Sequence, residues 1–96
     1  MNVNEFSQME KCPTSFSPAL RGLWFDKKGD WNTAHEIVQD SAGKDSAWVH
    51  AYLHRKEGDL WNANYWYRRC GRSEFKGSLE EEWQYIAAEL LDTLQF

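Results

Sequence analysis

Apolar residues recur every three to four positions along most of the chain, which is the spacing of amphipathic helices. The clearest stripe lies near the C-terminus, where seven apolar side chains share one helical face: Leu79, Trp83, Ile86, Ala87, Leu90, Leu91 and Leu94. No stretch of useful length alternates between apolar and polar residues, as a half-buried strand would. The pattern therefore predicts an all-α protein.

Capping residues and glycines divide this pattern into five predicted helices. Ser17-Pro18 is a favoured helix start, and Ser78 with Glu81 has the spacing of a capping box. Two Gly-Asp pairs, at 29–30 and 58–59, can each end one helix and cap the next. The predicted helices run from Pro18 to about Lys28, from Trp31 to about Gln39, from a cap at Asp45 or Ser46 to about Glu57, from 60 to about Arg69, and from Leu79 onward.

The remaining segments predict the domain organisation. Residues 1–16 are polar, show no period and contain a proline, so we expect a loose N-terminal arm. Residues 17–96 then form a single helical domain, with a basic, glycine-containing loop at 71–77. A chain of 96 residues has room for one modest core. Its hydrophobic content of 42% and charged content of 27% are those of an ordinary globular protein.

Charge and cysteine content narrow the function classes. Fifteen acidic residues against eleven basic ones give a net charge of −4, which argues against a dedicated nucleic-acid-binding protein. No window is apolar enough to span a membrane, and the first 20 residues lack the apolar centre of a secretory signal. Cys12 and Cys70 form neither a disulfide framework nor a CxxC knuckle. We therefore expect a cytoplasmic protein with reduced thiols.

A shift of the chain by 29 residues reveals an internal repeat. Small residues fall on small ones, because Gly22 meets Ala51 and Ser41 meets Cys70. Such a pattern is typical of a helix hairpin, in which small residues let the two helices approach closely. A competing register, with one inserted residue, matches Trp31-Asn32 to Trp61-Asn62. The gapless register gives four identities: Lys27, Gly29, Asp30 and Ala34 fall on Lys56, Gly58, Asp59 and Ala63.

The pattern small–x₆–Gly-Asp–x₃–Ala–x₃–bulky–x₂–small is similar to that of tetratricopeptide repeats. The segment 63–70 also resembles the Ala-x-x-Trp-Tyr-Arg-Lys-Ala ending of the related Sel-like repeats. The resemblance covers about residues 17–72 and departs from the family in its short period, in the absence of a closing proline and in His54, which stands where the other copy has Phe25. It implies two stacked helix hairpins, with the fifth predicted helix as a C-terminal cap.

The resemblance further implies a concave groove that binds an extended peptide or protein segment. Trp48, Tyr52 and Arg55 share one face of the third predicted helix, where aromatic and guanidinium groups are good recognition elements. The alternative is that this aromatic stripe belongs to the core. An apolar surface left at the N-terminal end would favour a homodimer. The partner-binding set implied by the groove is Trp48, Tyr52, Arg55 and Lys56, with Leu23 and Lys27 on the first helix.

Three histidines indicate an alternative function, in which the protein binds a metal ion or a small ligand. Such a site could also be catalytic. His50 and His54 are neighbours on one helical face, and stacking of the hairpins would bring His35 towards His50. Three imidazoles suit zinc or a similar transition metal. The sequence His50-Ala51-Tyr52-Leu53-His54 lacks the glutamate of the His-Glu-x-x-His pattern, however. The competing interpretation is that all three histidines are interhelical packing residues.

Two further clusters have structural and functional interpretations. Aromatic residues cover both sides of the fourth predicted helix, so we expect it to be sandwiched between the third and fifth, or else to expose an aromatic patch. Four basic residues near its C-terminal end suit the helix dipole or an anion site: Arg68, Arg69, Arg72 and Lys76. No nucleophile elbow, P-loop or dinucleotide turn is present. The sequence thus predicts a binding module without catalytic activity or cofactor of its own.

Overall fold

The computed structural model describes residues 1–93, and these form six α-helices without a strand. The all-α prediction is confirmed, whereas the predicted number of five helices is corrected to six in this part of the chain. None of these helices is both long and apolar enough to cross a membrane. Leu94, which the sequence placed on the C-terminal apolar stripe, lies outside the described residues. The helices are α1 (Val3–Gln8), α2 (Pro18–Lys27), α3 (Trp31–Gln39), α4 (Lys44–Lys56), α5 (Leu60–Arg69) and α6 (Leu79–Asp92).

The additional helix, α1, lies in the segment that we expected to be a loose arm. A capping box starts it, with the Glu5 N–H donating to Asn2 Oδ1 at 2.8 Å and the Asn2 N–H donating to Glu5 Oε1 at 3.1 Å. Phe6 is 0% exposed and stacks between Phe16 and Trp83, with ring centroids 6.1 and 5.8 Å away. The N-terminal segment thus supplies a core side chain.

The predicted caps explain where most of the other helices begin. The Ser17 hydroxyl accepts from the Leu20 N–H, and Ser78 with Glu81 forms the expected capping box. The side chains of Asp30 and Asp59 cap α3 and α5. The start of α4 is different, because Gly43 is its N-cap and the expected caps, Asp45 and Ser46, lie within the first turn.

The helices pack as two antiparallel pairs, α2 with α3 and α4 with α5, and α3 also packs against α4. Gly22 makes the first pair tight, because a Cβ atom at this position would lie 2.7 Å from Val38 Cγ1. Gly29 and Gly58 end the first helix of each pair with φ of +89° and +88°, in the left-handed region that favours glycine. The same turn chemistry therefore occurs at both hairpins.

Helix α6 covers a different face from the one that we expected. It packs against α1, α2 and α4, and Trp83 donates from Nε1 to the Leu23 carbonyl at 3.0 Å. The outer face of α5 is consequently left open, with Trp61 75% exposed and Tyr65 38% exposed. The expectation that the fourth predicted helix is sandwiched is thus wrong for this face, whereas Tyr67 on its inner face is buried.

Candidate functional site

The three histidines converge between α3 and α4. His35 lies in the middle of α3, and His50 and His54 lie one turn apart on α4. One ring nitrogen from each histidine lies within 4.8 Å of a nitrogen from each of the other two. The ring centroids are 4.8 Å apart for His35–His50 and His50–His54 and 5.2 Å apart for His35–His54. The packing of α3 on α4 therefore assembles a cluster of three imidazoles, which we call the histidine cluster.

The surroundings of His35 and His50 favour the neutral form of these two imidazoles. Nε2 of His35 and Nε2 of His50 lie 3.1 Å apart, a hydrogen bond in which one nitrogen donates and the other must accept. Burial, followed by the charges of His35 and His54, lowers the pKa of His50 to about 4. Burial and the charge of His54 also lower the pKa of His35. Neutral imidazole is the form that can ligate a metal ion.

Glu57 orients His54. The Glu57 carboxylate oxygen Oε1 lies 2.7 Å from His54 Nδ1 and accepts a hydrogen bond from it. His54 lies in the last turn of α4. A proton held at Nδ1 leaves the lone pair at Nε2, on the other edge of the ring. Metal-binding histidines are commonly fixed by such a carboxylate on the nitrogen that does not bind the metal. We did not identify Glu57 from the sequence, although its spacing of three residues from His54 places it within reach.

Two tryptophans flank the histidine cluster. Trp31 stacks on His35 with ring centroids 4.9 Å apart and planes 7° apart, and its Nε1 donates to the Leu53 carbonyl at 2.9 Å. Trp66 stacks on His50 with centroids 4.0 Å apart. Both indoles are half-buried. They restrict rotation of the imidazole rings and keep part of their surface from water.

Three of the predicted groove residues lie in the core. Trp48 and Tyr52 are each 3% exposed, and Leu23 is fully buried, so no partner can reach them in this conformation. Tyr52 donates from its hydroxyl to Asp26 Oδ2 at 2.8 Å, and Lys56 donates to Asp26 Oδ1 at 2.9 Å. The sequence left two alternatives open for Trp48 and Tyr52, a binding groove or the core, and the structure favours core packing.

Arg55 is committed to a buried carboxylate. Its Nη1 donates to Glu82 Oε1 at 2.9 Å and its Nη2 donates to the Gly77 carbonyl, while the Tyr67 hydroxyl donates to Glu82 Oε2. Glu82 is fully buried, so its ion pair with Arg55 and its hydrogen bond from Tyr67 link α4, α5 and α6 inside the protein. Of the predicted partner-binding set, Lys27 and Lys56 remain substantially exposed.

An aromatic stripe stands on the open face of α5, formed by Leu60, Trp61 and Tyr65. The rings of Trp61 and Tyr65 are nearly parallel, with centroids 6.4 Å apart and planes 12° apart. Arg69 donates from Nη1 to the Tyr65 hydroxyl at 3.2 Å and extends the stripe towards the end of the helix. Arg72 is placed differently, with its guanidinium 3.4 Å from the centroid of the Trp48 ring.

No family model matches the chain, and comparisons with curated proteins and with solved structures found no match either. The functional interpretation therefore depends on the chemistry of the histidine cluster and of the exposed stripe.

Proposed function

We propose that the protein binds a first-row transition-metal ion, with zinc as the first candidate, through His35, His50 and His54. The observation that carries this proposal is the convergence of three ring nitrogens within 4.8 Å of one another. Around a tetrahedral zinc ion with Zn–N distances of about 2.0–2.1 Å, ligand nitrogens lie about 3.4 Å apart. The nitrogens of His35 and His50 are already separated by 3.1 Å.

The surroundings of the histidine cluster support the same proposal. The His50 ring is buried and stacks on Trp66, so its position is fixed by the fold before an ion binds. His54 is held by Glu57 in the tautomer that presents Nε2. Imidazole ligands suit zinc, copper, nickel and iron, so competition between these ions would identify the preferred metal.

The test is calorimetric titration of untagged protein with Zn²⁺, together with elemental analysis of the freshly purified protein. We expect near-stoichiometric binding, and a melting temperature that is higher with zinc than with EDTA, because a ligand that binds only the folded state stabilises it. His35→Gln should abolish both effects. This variant is chosen because His35 is the least buried of the three histidines.

Glu36→Gln is the matched control, since it changes an exposed residue beside His35 without altering an imidazole. It should bind zinc as the wild type does. The proposal fails if zinc leaves the melting temperature unchanged, or if His35→Gln binds zinc with undiminished affinity.

The aromatic stripe of α5 supports a second proposal, that the protein is also an interaction module for a protein or peptide. This is the function that the tetratricopeptide resemblance implies, with α2–α3 and α4–α5 as the two proposed repeats. The surface would differ from the predicted groove, because Trp61, Leu60 and Tyr65 are exposed whereas Trp48 and Tyr52 are buried. Exposed adjoining aromatic residues often mark interaction surfaces.

Capture experiments test the interaction proposal. Immobilised wild-type protein should retain partners from a lysate that Trp61→Ala loses, while His35→Gln retains them because it lies outside the stripe. Light scattering of the same samples shows whether the partner is a second copy of this chain. Identical capture by wild type and Trp61→Ala would contradict a binding role for the stripe.

A further inference from the structure

We infer that a metal ion held by the histidine cluster keeps one coordination position for a small exogenous ligand, such as water or a small anion. This inference depends on the proposed metal site and concerns what that site does with its ion. Structural zinc sites are closed by four protein ligands, whereas sites that act on a ligand have three and leave the fourth position exchangeable. The donors and walls around the histidine cluster favour the second kind.

The carboxylate nearest to the histidine cluster is already engaged. Glu57 accepts a hydrogen bond from His54 Nδ1, and the metal would lie at Nε2 on the other edge of the same ring. An oxygen bound at one edge of an imidazole cannot also reach an ion at the other edge. Glu57 therefore acts as the residue that orients His54, and the ion is left with three imidazole ligands.

Both thiols are also directed to other partners. Cys70 is buried and its Sγ donates to the Tyr67 carbonyl at 3.3 Å, and Cys12 Sγ lies 3.8 Å from the Pro13 carbonyl. Within residues 1–93, each group of converging potential metal ligands contains three residues. The histidine cluster is one such group. The other consists of His54, Glu57 and Asp59 and shares only His54 with it.

The walls of the site consist of groups that do not coordinate metals. Trp31 and Trp66 cover His35 and His50 with indole faces, and the Trp31 N–H is committed to the Leu53 carbonyl. An indole offers a donor N–H and no lone pair to a cation. His35 and Trp31 are only half-buried, so solvent reaches this side of the histidine cluster. A small ligand from solvent is thus the group that can complete the coordination.

The chemistry that follows is Lewis-acid binding of a small donor in a partly apolar pocket. A zinc ion with three neutral histidines keeps its double positive charge, which attracts an anion such as azide, cyanate or carboxylate. The flat indole walls favour small ligands over bulky ones. The ligand class that we assign to the site is therefore a small monodentate anion or water.

Cobalt replaces zinc in the test, since Co²⁺ has a visible absorption spectrum that depends on its coordination. The cobalt-loaded protein is titrated with sodium azide and the visible spectrum is recorded. We expect a saturable change in band position and intensity, with one azide bound per cobalt. A cobalt spectrum that excess azide leaves unchanged would overturn the inference, because it means that the protein itself closes the coordination shell.

The variant Glu57→Gln shows whether the fourth coordination position is open to a ligand or is filled by the Glu57 carboxylate. The side-chain amide oxygen of glutamine can still accept the hydrogen bond from His54. The substitution nevertheless removes the carboxylate, which could otherwise rotate and bind the metal. We expect azide to bind to the cobalt forms of both wild type and Glu57→Gln, with a lower affinity for cobalt in the variant because the neutral amide holds His54 less firmly than the carboxylate does. Azide binding to Glu57→Gln alone would show that Glu57 is the fourth ligand and would overturn the inference while leaving the metal site intact. Failure of both proteins to bind cobalt would instead contradict the proposed function itself.

Discussion

His50 is the residue on which the electrostatics of the histidine cluster depend most. Its side chain is 4% exposed, one face of its ring is covered by Trp66, and its Nδ1 has no hydrogen-bond partner. A proton added to this ring would have to be accommodated away from water and close to two other imidazoles. This is why the pKa of His50 falls to about 4 in the folded protein.

This lowered pKa predicts a loss of stability in mild acid for the metal-free protein. An unfolded histidine takes up its proton near pH 6.5, whereas folded His50 does so only near pH 4, so the unfolded state binds more protons between these values. The stabilising contribution is complete above about pH 6.5 and is lost as the pH falls towards 4. It amounts to as much as about 2 kcal/mol between pH 7 and pH 5.

Urea unfolding of the wild type and of His50→Gln, both in EDTA at pH 7 and pH 5, measures this contribution. The free energy of unfolding should fall more steeply with pH in the wild type, and the difference between the two slopes isolates His50. Equal slopes would contradict a buried, neutral His50.

Sequence reasoning located the histidines but not the residues that organise them. The spacing of His50 and His54 places both on one helical face, and hairpin stacking adds His35, so the convergence was available as a hypothesis. Trp66 could not be assigned in the same way. Its contact with His50 depends on how α5 is rotated about its own axis, and that rotation is set by the burial of Ala63 and Tyr67 against neighbouring helices.

At the scale of the element, the tightest feature is the crossing of α2 and α3. Gly22 faces Val38, and a Cβ at Gly22 would come within 2.7 Å of Val38 Cγ1 and 3.4 Å of Val49 Cγ1. A β-branched valine has little freedom to rotate away. The helix pair therefore has no room for an additional methyl group at this position.

Gly22→Ala should destabilise the protein by about 1–3 kcal/mol, the usual cost of overpacking, despite the higher helix propensity of alanine. Val38→Ala removes the opposing methyl groups and is the partner variant in a double-mutant cycle. Because the double variant no longer has the clash, its loss of stability should be smaller than the sum of the two single losses. Chemical denaturation of the four proteins checks this, and strictly additive losses would show that Gly22 and Val38 do not share one tight contact.

The ends of the helices were predictable because caps are local. Ser17, Asp30, Asp59 and Ser78 each bond to a backbone N–H three residues ahead, and such contacts can be read from a few consecutive residues. Helix α1 has the same kind of cap, but six residues are too few to display a helical period. The position of α6 was not predictable, since it depends on contacts such as that of Trp83 with Leu23, which are 60 residues apart.

At the scale of the whole molecule, the two ends of the described chain meet in one core. Phe6 stacks on Trp83 of α6, and Trp24 of α2 donates from Nε1 to the Met9 carbonyl at 3.1 Å. Lys28 donates to the Ser7 carbonyl at 3.2 Å. The first residues of the chain are thereby fastened to both α2 and α6, and the helical hairpins are covered on this side by α1 and α6.

Phe6→Ala consequently tests whether the N-terminal segment belongs to the folding unit. Truncation of a buried phenylalanine typically lowers the free energy of unfolding by about 3–5 kcal/mol. Gln8 is exposed in the same helix, so Gln8→Ala should change this free energy by less than about 0.5 kcal/mol. A loss of that size is a large part of the stability of a small domain. Phe6→Leu, which keeps most of the buried volume, should lose less and provides a second comparison in urea unfolding. If the N-terminal segment were a loose arm, all three variants would have the same unfolding curve. The core would then form between α2 and α6 without a contribution from Phe6.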